Sequence, residues 1–288
     1  MWITDTCSRE TVEIWDLGRD GTVRHRSVPY TPSFYLRLPD PPAHWELLDA
    51  LESAYGAEEC TFQTVHGTCE GYRVPAGREV ALAIERQTGY AAELYNVDLR
   101  PDHQYLAAQD LVPCCDDPAS RFSPDLPSLP FRTIEVRISG IPFEKDPVCS
   151  IEVLHERHEH LRGEEGVVLA DLSALVGAID PDVVLFPRSD LWLPRLLSAS
   201  AERGIVLPFS RTGRYRKMTE KSYWSYGRTE YRAGSLIPDG RILIDTAQSF
   251  HYRESGLSGI LLGARLTGLS PNLAARFTSG TLISAYEI

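Results

Sequence analysis

The chain has 288 residues and a mass of 32.2 kDa, with 43% hydrophobic and 24% charged residues, a composition typical of a globular protein. Its formal net charge of −11 excludes a generally basic coat, so any binding of nucleic acid requires a local positive patch. It contains no run of about 18 apolar residues, which argues against a membrane span, and its start lacks the regions of a signal peptide. We therefore expect a cytoplasmic protein.

The six cysteines are scattered between residues 7 and 149 without a CxxC pair, so no disulfide framework is expected. The adjacent Cys114 and Cys115 could form a redox pair, but two loop thiols are the simpler interpretation. The sequence contains no Gly-x-Ser-x-Gly, Walker or dinucleotide-binding motif, so neither a hydrolase triad nor a nucleotide cofactor is indicated. We expect no cofactor.

Residues 1–113 alternate short strand patterns with helical ones and predict an α+β domain. The strands expected in this part are Thr11–Trp15, Val23–Val28 and Phe34–Leu38. Helices are expected near Trp45–Tyr55 and Ala76–Gln87. Residues 114–128 are rich in Pro, Ser and Asp, which is typical of a linker.

Residues 129–288 predict an α/β domain with a mixed sheet flanked by helices. The expected strands are Phe131–Ile138, Val148–Leu154, Gly166–Ala170, Val183–Phe186 and Ile242–Ile244. A short helix at Leu172–Ile179 has Asp171 as its expected cap. The next helix starts near Asp190, with Ser189 or Asp190 as its expected cap, and ends at Gly204. Its apolar face is expected to carry Leu193, Leu196, Leu197 and Ala201. Two more helices are expected near the end of the chain.

Several segments carry a family resemblance. They are the strand–turn–helix of residues 180–211, the segment Tyr95–Pro113, Gly240–Asp245 and Arg276–Ile288. Together they resemble the N-terminal and 3′–5′ exonuclease regions of archaeal family B DNA polymerases. The resemblance implies that the second domain is ribonuclease-H-like. Residues Thr31–Tyr35 are similar to the strand of that family's uracil-reading pocket, but Ser33 stands where an aromatic residue is usual.

The resemblance also implies that the nuclease is inactive. Such exonucleases hold two divalent metals with about four carboxylates. The first motif here offers Thr133 and Glu135 or, shifted by two residues, Glu135 and Arg137. In the second, Pro187 replaces an Asn and Trp192 an Asp; in the third, Phe277 replaces a Tyr and Thr281 an Asp. The pattern is similar to the degenerate second archaeal group of the family, and no bound metal is expected.

A basic and aromatic segment spans Arg211–Arg232, with seven Arg or Lys against two Glu. Cations alternating with aromatic rings are typical of grooves that bind single-stranded nucleic acid. The predicted DNA contacts are Arg211, Arg214, Arg216, Lys217, Lys221, Tyr223, Trp224, Tyr226 and Arg228. The alternative is a β-hairpin whose aromatic rings pack on a sheet and whose charges are solvated.

The segment 155–160 contains His155, His158 and His160, a composition that suggests a metal site. On a strand, however, His158 and His160 share a face and His155 points the other way, so three-histidine geometry is poor. A solvated hairpin tip is the favoured interpretation.

Three hypotheses for function remain open. The favoured one is the non-catalytic N-terminal and exonuclease-like part of an archaeal-type family B DNA polymerase. It would bind single-stranded or primer–template DNA and support a polymerase module that is supplied by a separate chain or lost. The second is a divergent exonuclease that uses Glu135 with Asp182 or Asp245. The third is a replication or repair adaptor that binds only proteins.

Overall fold

The protein is described from a computed structural model, which covers residues 1–126, 128–143, 146–225, 228–232 and 234–277. For Lys221, Tyr223–Ser225, Arg228 and Glu230–Arg232 only the backbone is described. The strands are β1 (Trp2–Ser8), β2 (Val12–Leu17), β3 (Val23–Val28), β4 (Phe34–Arg37), β5 (Glu58–Thr64), β6 (Gly67–Val74), β7 (Glu93–Tyr95), β8 (Thr133–Ile138), β9 (Ser150–Leu154), β10 (His158–Arg162), β11 (Val183–Leu185), β12 (Tyr215–Met218), β13 (Lys221–Ser225), β14 (Arg228–Arg232), β15 (Ser235–Pro238) and β16 (Ile242–Ile244). The helices are α1 (Trp45–Tyr55), α2 (Arg78–Gln87), α3 (Pro101–Ala108), α4 (Glu165–Ile179), α5 (Ser189–Ala201), α6 (Phe250–Thr267) and α7 (Pro271–Ala274).

The chain forms two compact units that are not continuous in sequence. One contains Met1–Cys7, Glu13–Arg26 and the described residues from Asp110 onward; the other contains Ser8–Val12 and Ser27–Gln109. The units do not coincide with the sequence-based division into 1–113, 114–128 and 129–288, because residues near the start belong with the later ones. That division stays a prediction about folding domains.

The second unit is built on a four-stranded sheet in the order β5-β6-β4-β7. Strand β4 is central and pairs antiparallel with both β6 and β7. Its Phe34 and Leu36 alternate inward, as expected for a half-buried strand, and belong to one core with Leu47 and Leu51 of α1. Helix α1 ends at Gly56, whose φ of 68° gives the left-handed cap that glycine adopts without strain.

The first unit contains a five-stranded mixed sheet in the order β10-β9-β8-β11-β16. Strands β8, β11 and β16 are parallel, with Glu135 of β8 level with Leu185 of β11 and Leu185 level with Ile244 of β16. Strands β9 and β10 continue the sheet antiparallel. Strand order and helix placement confirm the predicted α/β class.

Helices cover the sheet unequally. On one face, Ile134, Val136, Ile151 and Val153 form the main core with apolar residues of α4 and α5. On the other face, Val183, Ile242 and Ile244 share a smaller cluster with Ile260, Leu261 and Ala264 of α6.

The strand predicted at Gly166–Ala170 is wrong. These residues belong to α4, a single 15-residue helix that begins after Glu164, so Asp171 is inside the helix rather than at its cap. The buried residues Val168, Leu169, Leu172 and Val176 follow helical spacing. A short apolar run such as 167–169 fits a strand equally well, and the length of the element decides between the two.

Helix α5 begins where the sequence predicts, but its cap differs. The N-cap is Arg188, in a left-handed conformation at φ 58°, rather than Ser189 or Asp190. Its buried residues include Trp192, Leu193 and Leu196, whereas the predicted Ala201 is exposed. Gly204 follows the helix at φ 68°, in agreement with the prediction.

Candidate functional site

The carboxyl ends of β8, β11 and β16 lie at one edge of the sheet because the three strands are parallel. The ladder extends one residue further, where Phe186 N donates to Ile244 O at 2.9 Å. Glu135 and Arg137 approach this edge on β8, and Asp245 follows β16. The turn Phe186–Arg188 leads from β11 into α5, which carries Asp190 and Trp192. The edge therefore gathers the positions of the first two predicted motifs.

Glu135 is paired with a cation rather than with other carboxylates. Its Oε1 lies 2.6 Å from Arg137 Nε, two residues along the same strand and therefore on the same face. The hydrogen bond to Glu135 is the main cause that raises the pKa of Arg137. Tyr252 of α6 lies near the same carboxylate, since its pKa is raised first by burial and then by the charge of Glu135. Thr133 adds no metal-ligand carboxylate to this strand.

Asp245 uses its carboxylate to organise the backbone. Oδ1 accepts from the amides of Arg188, Ala247 and Gln248 at 2.9–3.0 Å, and Oδ2 accepts from the amide of Asp190 at 3.2 Å. These bonds fix the first turn of α5 and the turn after β16. Asp245 is only 3% exposed.

Asp182 is also engaged, at the opposite end of β11. It accepts from the backbone and guanidinium of Arg132 and, at 2.8 Å, from Arg211 Nη2. Asp182 precedes Leu185 by three residues, or about 10 Å along a strand, while Leu185 is level with Glu135. Asp182 is therefore placed too far away to share a metal with Glu135.

A second cation occupies the edge. Arg276 is buried, and its guanidinium donates to Leu243 O, to Asn272 O and, at 3.4 Å, to Asp190. Burial lowers its pKa, and the charges of Asp190 and Asp245 oppose that effect. The edge thus carries two arginines paired with Glu135 and Asp190.

Trp192 is buried, with 3% of its surface exposed. It belongs to the main core with Ile134 and Val136, and the guanidinium of Arg195 stacks over its ring at 5.0 Å. Ile134 and Val136 alternate with Glu135 along β8, so they project from the opposite face of the sheet.

The remaining motif positions are apolar or not described. Pro187 is half-buried in the turn before α5. Phe277 packs against a small cluster of Ile237, Leu269 and Leu273. Thr281 lies outside the described residues.

Arg211 and Arg216, two of the predicted DNA contacts, are held inside the protein. Arg211 donates to Asp180, Asp182 and Gly240 O. Arg216 donates to Asp5 at 2.6 Å and to two backbone carbonyls, and it lies 3.2 Å from Asp239. Each side chain is 12% exposed. Because internal carboxylates neutralise them, we leave both out of the proposed DNA contacts.

Arg214 and Lys217 are exposed. Strand β12 pairs antiparallel with β15, and side chains alternate along it, so Arg216 points inward where Lys217 points outward. The β-hairpin of the alternative interpretation does form, with β13 and β14 paired antiparallel. The side chains of Lys221, Tyr223, Trp224 and Arg228, and all of Tyr226, lie outside the described part of the chain.

Sequence reasoning missed the buried partners Asp5 and Asn272. Asp5 is 0% exposed and accepts from Arg216, from the amide of Gly240 and from Asn272 Nδ2. Asn272 in turn donates to Arg241 O and accepts from the amide of Leu243. The available signal was Asp5 at the centre of the short strand pattern Trp2–Ser8, since a carboxylate on a covered strand needs a partner.

In the second unit, Ser33 lines a hollow of about 240 Å³ together with Asn96 and Gln104. Its amide donates to Gln104 Oε1 at 3.0 Å. The similarity of this region to a uracil-reading pocket stays a prediction.

Comparison with known proteins adds information about the fold. No protein-family model and no curated protein sequence matches the chain. Among solved structures, the chain is similar to the family B DNA polymerase of the hyperthermophilic archaeon Pyrobaculum calidifontis, with a TM-score of 0.70 and 15% sequence identity. The match covers 99% of this chain and 49% of that polymerase, so the chain spans about half the polymerase's length. None of the described helices is both long and apolar enough to cross a membrane.

Proposed function

We propose that this chain is the N-terminal and exonuclease-like portion of a family B DNA polymerase, with an inactive proofreading centre and a DNA-binding, structural role. Three findings support the proposal: the likeness to an archaeal polymerase, the layout of the sheet edge and the charges found there. The predicted membership of the degenerate archaeal group belongs to the same proposal.

The observation that carries the proposal is the pairing of the edge carboxylates. Two Mg²⁺ ions require several carboxylates that converge without competing cations. Here Glu135 is bound by Arg137, Asp190 is bound by Arg276, and Asp245 accepts four backbone amides. Within the described residues, no group of three potential metal ligands includes Glu135. The edge is arranged to be stable without metal.

A structural role explains why the edge is nevertheless well formed. Asp245 joins the end of β16 to the start of α5, and Arg276 joins Asp190 to the backbone of Leu243. These bonds keep the strand–turn–helix in one geometry. A rigid platform whose charged side chains are paired in this way suits a region that positions DNA or a polymerase module without cutting the DNA.

Contact with DNA is proposed for the outward side of β12 and the hairpin β13–β14. Arg214 and Lys217 supply exposed positive charge there. In an otherwise acidic protein, such a patch directs the phosphate backbone to one place. Support of a polymerase module is part of this proposal.

One experiment tests both halves of the proposal. A labelled single-stranded oligonucleotide is incubated with the chain and Mg²⁺ or Mn²⁺, and its binding and its length are measured together. We expect salt-dependent binding and an intact oligonucleotide. Replacing Arg214 and Lys217 by alanine should reduce the salt slope by about 1.4, from roughly 0.7 per single-strand phosphate contact.

The matched control replaces Arg86 and Arg253, two exposed arginines elsewhere, and should bind like the unmodified chain. Metal-dependent shortening that Glu135→Gln abolishes would establish the divergent exonuclease instead. An intact oligonucleotide without any binding would favour the protein-binding adaptor.

A further inference from the structure

One face of the sheet in the first unit carries polar side chains on β9 and β10. Ile151 and Val153 of β9 project into the main core, so Glu152, between them, projects from the opposite face. His160 of β10 is level with Glu152, and His158 lies two residues before it on the same side. This part of the face, away from the α6 cluster, presents one carboxylate and two imidazoles together.

The three side chains converge. His158 Nε2 lies 3.5 Å from Glu152 Oε2, and His160 Nδ1 lies 3.6 Å from Glu152 Oε1. One ligand atom from each residue lies within 4.8 Å of the other two, and the imidazole centroids are 4.1 Å apart. In a tetrahedral zinc site, the nitrogen and oxygen ligand atoms lie about 3.3–3.4 Å from one another. Small side-chain rotations therefore suffice to enclose an ion.

We propose that Glu152, His158 and His160 form a binding site for a divalent transition-metal ion of the zinc class. Two imidazoles and one carboxylate suit Zn²⁺, Ni²⁺ or Cu²⁺, whereas Mg²⁺ and Ca²⁺ prefer oxygen ligands. Three protein ligands leave a fourth position for water or a small anion. The site is distinct from the carboxyl ends of β8, β11 and β16, and it does not depend on the proposed polymerase function.

The backbone prepares this geometry. Two histidines at alternate positions of β10 must project from one face, and the hairpin with β9 places Glu152 directly beside His160. Arg137 of β8 is level with Glu152 and could compete with a metal ion for it, but Glu135 holds the Arg137 guanidinium at 2.6 Å. His155 lies in the hairpin turn, 4.0 Å from Glu159, and takes no part.

Titration calorimetry of the metal-free, reduced chain with ZnCl₂ tests the proposal. We expect one saturable Zn²⁺ site and no comparable heat with MgCl₂. His158→Ala and His160→Ala should each weaken Zn²⁺ binding at least about tenfold, because losing even an outer partner of a metal ligand lowers affinity 10- to 100-fold. Glu152→Gln should weaken it as well. Cu²⁺ bound to the unmodified chain should show nitrogen couplings from two imidazoles in its electron paramagnetic resonance spectrum.

Two controls separate this site from adventitious binding. His66→Ala removes an exposed histidine elsewhere and should leave the affinity unchanged. Cys149→Ser removes the exposed thiol next to β9 and should also leave it unchanged. The proposal is overturned if the chain shows no saturable Zn²⁺ binding, if both histidine variants bind as tightly as the unmodified chain, or if Cys149→Ser abolishes binding. Circular dichroism verifies that each exposed-site variant remains folded.

Discussion

Arg216 makes a set of buried contacts whose removal has a calculable cost. Its guanidinium donates to Asp5 at 2.6 Å and to Thr6 O at 2.7 Å, and it lies 3.2 Å from Asp239. Burial alone lowers its pKa, but the attraction of Asp5 and the other partners prevails and raises it. Arg216 is therefore a charged, structural side chain.

Replacing Arg216 by alanine leaves Asp5 and Asp239, which are 0% and 1% exposed, without their cation. Removal of one partner from a buried ion pair costs about 3–5 kcal/mol. Each kcal/mol lowers the melting temperature of a chain of this size class by about 2–4 °C, so a decrease of roughly 10 °C is expected. Arg214→Ala removes the same charge from an exposed neighbour and should change stability by no more than about 0.5 kcal/mol.

Urea denaturation of the two variants, at neutral pH and near pH 4, measures the effect. Burial raises the pKa of Asp5 above its usual 3.8, with Arg216 as the leading opposing influence. Without Arg216 this carboxyl is costly when ionised, so the penalty is full at neutral pH and shrinks as pH falls through the raised pKa. Asp5→Asn combined with Arg216→Ala should cost less than the sum of the single changes. Equal stability of the Arg216 and Arg214 variants, with weaker DNA binding in both, would refute this reasoning and restore Arg216 to the DNA contacts.

Two further predictions concern buried side chains. Trp192→Ala should lower the free energy of unfolding by about 3–5 kcal/mol in urea denaturation, because it leaves a large cavity in the main core. Trp45→Ala, at a 64% exposed site, should change this free energy little. Equal losses in the two variants would contradict the packing described. Cys149 should react rapidly with a thiol reagent in the folded protein while Cys114 stays protected, because burial raises the pKa of Cys114 to about 12; mass spectrometry of the labelled peptides reads this out, and early labelling of Cys114 would count against it.

Local patterns predicted much of the fold. Strands β3 and β16 and helix α1 occupy the residues expected for them, because alternation, turn residues and helical spacing are all local signals. Helix α4 was predicted incorrectly, since the apolar run at its start satisfies strand and helix patterns alike.

The roles of the charged residues could not be predicted in the same way. Arg214, Arg216 and Lys217 are alike in sequence, yet only Arg216 points inward, and its partner Asp5 is 211 residues away. Glu152 and His160 are brought together by the register of a hairpin rather than by a motif. Alternation along a strand gives two faces, but the sequence does not state which face meets a carboxylate. Pairs of charged residues that are distant in sequence therefore could not be predicted from the sequence alone.

Under the proposed function, the arginines at the sheet edge also bear on how exonuclease activity is lost. Loss of a carboxylate ligand alone would leave the others close together and repelling one another. In this chain Arg137 and Arg276 neutralise Glu135 and Asp190, and Trp192 is part of an apolar core. Restoring an aspartate at position 192 would bury a charge among Ile134 and Val136 while both arginines still compete for the remaining carboxylates. Under the proposed function, several mutually dependent residues therefore keep the exonuclease centre inactive. An aspartate at position 192 alone would destabilise the fold without rebuilding a metal site.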